Sequence, residues 1–328
     1  MQNQKEDFNN LKNAGSYSPL GDRGIKVFAP ATIANLVCGF DVLGLALNDP
    51  SDIMEVTLSD NPGIRIKHID SYNLSCIPEE NVAGVSLLSL MHELNENVGF
   101  DIIIDKRIKP GSGLGSSAAS AAGIVVAANH LLGNRFSKEE LVRFAMAGEK
   151  LASGVKHADN VSPCIYGGVT LVRSIFPLDI ITLPAPSLYV TVVHPQIEVK
   201  TSDAREILRK EVLLKNAIKQ WGNVAGLVAG FLKNDYDLIG RSLEDVIIEP
   251  VRSMLIPGFD DVKKKSIEAG ALGGGISGSG PSIFMLCKEE TTAIEVERIM
   301  KQIYDATGLA YYTYVTTINN NGITVAGN

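Results

Sequence analysis

The chain has 328 residues, with 30 Lys and Arg against 37 Asp and Glu, 45% hydrophobic residues and a formal net charge of −7. It is long enough for about two domains, each burying a core, and too apolar for a disordered chain. The acidic balance argues against a nucleic-acid binder, which needs clustered Lys and Arg, but leaves open a phosphate held by backbone amides.

The first 24 residues are polar, lack the apolar core of a signal peptide, and read as a disordered tail. Residues 25–29 read as a first strand, stopped by Pro30. Residues 52–58 and 63–69 read as further strands, joined by the turn residues Asp60, Asn61, Pro62 and Gly63. Over 80–97, Val82, Val85, Leu88 and Met91 recur at helical spacing. Residues 100–108 are apolar and β-branched, hence a strand, and a Gly-rich loop then leads into an Ala-rich helix over 116–132. Ser137 and Glu140 form a capping box opening a helix whose face carries Leu141, Phe144 and Leu151.

Residues 167–174 and 187–194 read as strands. Pro177, Pro184 and Pro186 between them mark a boundary near residue 180, dividing an N-terminal domain (25–180) from a C-terminal one (181–328). Helices near 202–233, 235–246 and 259–269 follow, then a strand (282–287), a helix (290–307) and a last strand (310–318). Strands and helices mix without regular βαβ alternation, which gives an α+β class. The longest nearly apolar stretch, 118–132, is broken by Ser120, Gly123, Asn129 and His130 and falls short of the roughly 20 residues of a membrane span. Cys38, Cys76, Cys164 and Cys287 lie far apart, with no C-x-x-C pair. That argues against a disulfide framework or zinc site and for a reducing cytoplasm.

The chemistry concentrates in one loop: Lys109, Pro110, Gly111, Ser112, Gly113, Leu114, Gly115, Ser116, Ser117, Ala118 and Ala119. Glycines at alternate positions allow positive φ and close backbone approach. The helix they open offers free N–H groups and a dipole to an anion, and two serine hydroxyls can bind a phosphate or Mg²⁺. A Walker A loop would need a lysine after the glycines, and none is there. Gly113-x-Gly115-x-x-Ala118 fits a dinucleotide fingerprint, but the helix leads into a second helix rather than a second parallel strand. A G-x-S-x-G nucleophile elbow is absent.

This run resembles the ATP-phosphate loop of the GHMP kinase superfamily, which includes galactokinases, homoserine kinases and mevalonate kinases. The family usually has its proline one place earlier than Pro110. Residues 28–47 resemble the first motif of homoserine kinases. There Val37 and Cys38 replace the usual Gly-Pro, so the turn before Gly39 is expected to differ slightly. Residues 269–285 resemble the third motif, a second glycine-rich loop. The resemblance runs from about 25 to 318 and implies a ribosomal protein S5 domain 2-like N-terminal domain and a ferredoxin-like C-terminal domain, with the site in the cleft between them.

It also implies roles. Ser117 and Glu149 would hold Mg²⁺; Glu149 alone would read as a solvated helix face. Asn81 would contact adenine. In the His157–Pro163 run, Asn160 would orient the acceptor hydroxyl, with Asp159 as general base the competing assignment, and His157 would sit beside the substrate. Arg205 and Arg252, with Thr201 nearby, would bind a carboxylate, Asp41 an ammonium, and Asn35 would lie near the reacting end. Individually, each arginine reads as a surface ion pair. The activity implied is ATP-dependent phosphorylation of the L-homoserine hydroxyl, for threonine synthesis. The alternatives are a GHMP-type kinase for mevalonate or shikimate, or a non-catalytic sensor on the same fold. A cytoplasmic homodimer without nucleic-acid or membrane partners is the expected setting.

Overall fold

The structure, a computed structural model, describes residues 23–199 and 201–326, and residues 201–203 by their backbone alone. Residues 1–22 of the expected tail lie outside the described residues, and Gly24 already belongs to the first strand.

Two sheets organise the chain. The larger runs β11-β1-β2-β4-β3, from β1 (Gly24–Ala34), β2 (Leu43–Ser59), β3 (Gly63–His68), β4 (Gly99–Asp105) and β11 (Thr324–Ala326). β3 pairs parallel to β4, and the other pairings are antiparallel. β2 is long enough to serve two neighbours. Its Ile53–Ser59 end pairs with β4, while Leu43–Leu45 pairs with β5 (Val169–Ile175), which forms a hairpin with β6 (Leu178–Leu183). Pro30 does not stop β1. The strand continues through a register shift between Pro30 and Thr32, where the missing proline N–H interrupts the ladder.

Three helices pack by this sheet: α1 (Val82–Leu94), α2 (Ser116–Leu131) and α3 (Lys138–Ser153). α2 is buried almost all round. Its alanines let it lie between β1 and β2 on one side and α1 and α3 on the other. α3 opens with the expected capping box, Ser137 Oγ accepting from the Glu140 N–H while the Glu140 carboxylate accepts from the Ser137 N–H. A short helix, α4 (Val161–Tyr166), was not read from the sequence; its Pro163 sits in the first turn, where no intrahelical N–H is needed.

Chain order then builds the second sheet, β10-β7-β9-β8, from β7 (Tyr189–Pro195), β8 (Gly273–Ile276), β9 (Ile283–Cys287) and β10 (Tyr311–Thr317). Between β7 and β8 run α5 (Thr201–Glu206), α6 (Leu214–Lys233), α7 (Tyr236–Ser242), α8 (Glu249–Arg252) and α9 (Phe259–Glu268), and α10 (Glu290–Thr307) joins β9 to β10. This is the split βαββαβ order of a ferredoxin-like domain. α10 buries Ala293, Val296, Met300, Ile303 and Tyr304, one helical face, in a second core with Ile283, Met285, Phe259 and Val262.

The expected boundary at residue 180 falls inside β6, a strand of the larger sheet. Pro177 lies in the β5–β6 turn, and the chain changes sheet between Leu183 and Tyr189. One long helix was expected over 202–233, where the structure has α5 and α6 with a break between. The strands β6, β8 and β11 and the first half of β2 were not anticipated. Among the described residues, no helix is long and apolar enough to cross a membrane.

The two halves of β2 place Gly44 against the segment that enters α4. A Cβ built at Gly44 would lie 1.7 Å from the Asp159 carbonyl oxygen. Gly44→Ala is therefore expected to lower stability by about 1–3 kcal/mol, since backbone must move to make room. An unchanged urea midpoint would contradict this.

Candidate active site

One cavity of about 530 Å³ opens where the two sheets meet. Its floor is the start of α2. Gly115 is the N-cap residue at φ 66°, with no side chain capping the helix, so the first N–H groups remain free for an anion. A Cβ at Gly115 would fall 2.0 Å from Thr32 Oγ1 and 3.0 Å from Asn160 Oδ1, so only glycine lets the loop reach these two. Pro110, Gly111, Gly113, Gly115, Ser116 and Ser117 line the cavity.

The rest of the expected loop does not. Lys109 turns away, its Nζ donating to Gln196 Oε1 at 2.6 Å. Ser112 and Leu114 are buried, Ser112 Oγ accepting from the Leu114 N–H at 3.2 Å, and Ala118 and Ala119 belong to the core.

Beside the helix start stands Glu149, carried by α3 and 2% exposed. The Ser117 hydroxyl and His157 both act on its carboxylate. Burial pushes its pKa up against their pull, and Oε1 has no hydrogen-bond partner. His157 lies between two acids, with Nδ1 2.9 Å from Asp159 Oδ1 and Nε2 3.6 Å from Glu149 Oε2; Ser153 Oγ is 3.0 Å from Nε2. Burial would lower the imidazole pKa, but the Asp159 bond and the neighbouring carboxylates outweigh it and raise it to about 9. Asp159 is buried, and its Oδ1 is engaged by this histidine. The Asn160 side-chain oxygen accepts from Thr32 Oγ1 at 2.7 Å.

A second group lines the same cavity. Arg205 holds both oxygens of Asp41, at 2.8 and 3.0 Å. Arg252 is 3% exposed and donates from Nε to the Ala204 carbonyl and from a terminal nitrogen to the Gly278 carbonyl. Burial and the neighbouring Arg205 pull its pKa down to about 10. The Phe40 ring lies 5.4 Å from the Arg205 guanidinium and 5.0 Å from that of Arg252, close enough for both cation–π contacts. Asn35 joins this group to the second glycine loop, donating to the Gly278 carbonyl at 2.9 Å and accepting from the Asp41 N–H. The side chain of Thr201 lies outside what the structure describes.

Asn81 lines the cavity too, but as part of its wall. Its oxygen accepts from the N–H groups of Ala83 and Gly84, capping α1, and its amide nitrogen meets His68 Nε2 and the Ser75 carbonyl. All four hydrogen-bonding positions of the amide are thus used within the protein.

Several lining residues escaped the sequence reading: Phe40, His68, Lys106, Ser153 and Gly278. Lys106 stood in a charged run, Asp105-Lys106-Arg107, at the end of an apolar strand and gave no separate signal. In the structure its ammonium bonds Asp52, the Ser116 carbonyl at 2.7 Å and Ser120 Oγ at 3.0 Å, tying β4 to the first turn of α2. Phe40 stood inside the first motif and gave no separate signal. Among the described residues, no group of three or more His, Cys, Asp or Glu could hold a metal by itself.

The helix start lies beneath two glycine loops, and the GHMP kinase resemblance is borne out by comparison with known proteins. The family model GHMP kinases N terminal domain matches residues 81–168, and GHMP kinases C terminal matches 227–306. The chain thus belongs to the GHMP kinases and has their two-domain fold. More narrowly, it belongs to the homoserine kinase family. It is 47% identical to homoserine kinase of Chloroherpeton thalassium, over 84% of this chain and 92% of that one. It is 43% identical to that of Methanococcus maripaludis, over 89% and 96%. The crystal structure of homoserine kinase from Cytophaga hutchinsonii aligns with a TM-score of 0.90 at 50% identity, covering 95% of this chain and 100% of that one. L. major mevalonate kinase, solved with R-mevalonate, is 15% identical and shares the fold at a TM-score of 0.67.

The His157 cluster gives a pH signature. An unfolded histidine titrates near 6.5. Because the folded pKa is raised, to about 9, the stabilisation is complete below about pH 6.5 and is lost as pH rises through about 9. The stability of the wild type relative to His157→Gln should fall by up to about 3 kcal/mol across that interval. A pH-independent difference in unfolding free energy would show that folding does not raise the imidazole pKa.

Proposed function

We propose that this chain is an ATP-dependent homoserine kinase that transfers the γ-phosphoryl group to the side-chain hydroxyl of L-homoserine, giving O-phospho-L-homoserine for threonine synthesis. The carrying observation is the charge pattern of one cavity. A phosphate-ready helix start shares it with two arginines and a carboxylate, the complement of an amino-acid zwitterion.

In this reading the free N–H groups at the α2 start and the loop residues Pro110, Gly111, Gly113, Gly115, Ser116 and Ser117 hold the ATP phosphates, with adenine toward the wall built by His68, Asn81 and Val82. Arg205 and Arg252 receive the substrate carboxylate, Asp41 its ammonium, and Asn35 borders the acceptor end. Asn160 is an amide and takes up no proton, so its part is to orient the hydroxyl. Asp159 is engaged by His157, which favours a supporting part over that of general base. Rate then comes from alignment and charge neutralisation.

Mg²⁺ fits the donors present. Glu149 offers a buried carboxylate oxygen without a partner, and Ser117 a hydroxyl beside it; Mg²⁺ characteristically takes one or two protein oxygens and completes its shell with phosphates and water. When bound it would neutralise charge on the transferring phosphates. We also propose the homodimer that the resemblance implies; a sedimentation mass of one chain would overturn it.

Two measurements test the reading. ADP release with Mg²⁺-ATP and L-homoserine, L-threonine, mevalonate or shikimate should occur with homoserine alone. Turnover with mevalonate or shikimate and none with homoserine would overturn the acceptor assignment. Glu149→Gln should lower kcat by about a hundredfold or more, the loss of several kcal/mol of charge stabilisation. An unchanged kcat would end the metal assignment.

A further inference from the structure

The acceptor end of the cavity already contains a carboxylate on its arginine. Both Asp41 oxygens accept from the two terminal nitrogens of Arg205, at 2.8 and 3.0 Å. A substrate α-carboxylate would use the same fork-to-fork geometry on the same guanidinium. The pair is one third exposed, 33% for Arg205 and 36% for Asp41, so a ligand arriving from solvent can exchange with it. Asp41 is also held by its backbone. Its φ is 60°, and its N–H donates to Asn35 Oδ1 at 3.1 Å. Arg205 Nε is buried without a partner, so the guanidinium has donor capacity that Asp41 does not fill. Arg252 is committed to the Ala204 and Gly278 carbonyls and does not compete for Asp41 through those donors.

We propose that Asp41 is an internal competitor for the carboxylate fork of Arg205, and that this competition makes the site select acceptors with an ammonium group over hydroxy acids without one. The inference rests on the homoserine reading above. An amino acid brings both charges: its carboxylate takes Arg205 from Asp41, and its ammonium takes Asp41 from Arg205. One ion pair is broken and two are made. A hydroxy acid without the amine breaks one pair and makes one, and it leaves the Asp41 carboxylate without its hydrogen-bonded partner, with only the longer-range attraction of Arg252 and His157. An unpaired, partly buried charge costs more than a merely absent contact, so rejection comes from Asp41 itself.

The probe is 4-hydroxybutyrate, which is L-homoserine without its amino group, and the variant is Asp41→Asn, which removes the charge and keeps the size. The variant should lose about a hundredfold in kcat/KM for L-homoserine. Its affinity for 4-hydroxybutyrate, read by isothermal titration calorimetry, should rise about three- to tenfold over wild type, the scale of a part-exposed ion pair released from competition. Were Asp41 only an ammonium ligand, or only a prop for the turn, 4-hydroxybutyrate would bind the variant no better than the wild type. That result, including no detectable binding to either, overturns the proposal. Asp41→Ser repeats the measurement if the asparagine variant is unstable. Wild-type turnover of L-homoserine reads separately. Its absence removes the acceptor assignment, whereas turnover without a gain in the variant removes the competition alone.

Discussion

Two glycine-rich loops meet backbone to backbone, and the cavity depends on that contact. A Cβ at Gly113 would lie 2.6 Å from the carbonyl oxygens of both Ser277 and Gly280. Ser277 Oγ donates to the Gly113 carbonyl at 2.7 Å and the Ser282 N–H to the Ser112 carbonyl at 3.2 Å. The Gly278 N–H adds a third tie, to the Ala34 carbonyl at the end of β1. The first loop follows β4 in the larger sheet and the second joins β8 to β9 in the smaller, so the sheets are fastened beside the start of α2. Hydrogen bonds of this kind are directional, and they set spacing as well as adhesion.

Around this fastening the buried charges are nearly all matched. Lys106 is satisfied by Asp52 and two oxygens of α2, and the other Asp52 oxygen accepts the N–H groups of Arg107 and Ile108 at 2.8 and 2.9 Å. A buried ion pair adds little net stability, because desolvation offsets attraction, but it fixes geometry. Here it fixes where α2 begins relative to β4. Against that background the exceptions are informative. Glu149 Oε1 and Arg205 Nε are buried polar atoms without partners, opposite in sign, and both belong to residues lining the cavity. Folded proteins rarely leave such groups idle.

The elements with strong periodicity were legible in the sequence: α1, α3 with its capping box, and α10 with its apolar face. So was the glycine loop, because positive φ and close approach leave glycine little competition. The resemblance named the residues now found around one cavity, Glu149, His157, Asp159, Asn160, Arg205 and Arg252 among them. What was hidden depends on long-range pairing. β11 is three residues long and exists because β1 offers it an edge. β8 is mostly glycine, with no β-forming side chains to announce it. Pro177 looked like punctuation between domains and proved to be a hairpin turn, since turn chemistry is the same in both places. Spacing likewise gave no sign that Arg205 would fold back onto Asp41, 164 residues away.

The turn that presents Asp41 shows how surroundings impose what sequence disfavours. Asn35, Leu36 and Val37 have φ of 75°, 42° and 66°, three successive left-handed residues without a glycine. For a β-branched residue such as Val37 this is an outlier, and left-handed backbone costs about 1–2 kcal/mol per residue. The strain persists because the turn is anchored at every point. Leu36 and Val37 are buried in the main core, and the Asn35 side chain bonds both the Gly278 carbonyl and the Asp41 N–H. Burying a side chain of that size contributes about 1.5–3 kcal/mol, enough to offset the backbone term. Val37 in place of the usual glycine thus exchanges an unstrained turn for an anchored one. The anchoring also settles where Phe40 and Asp41 stand on the cavity wall.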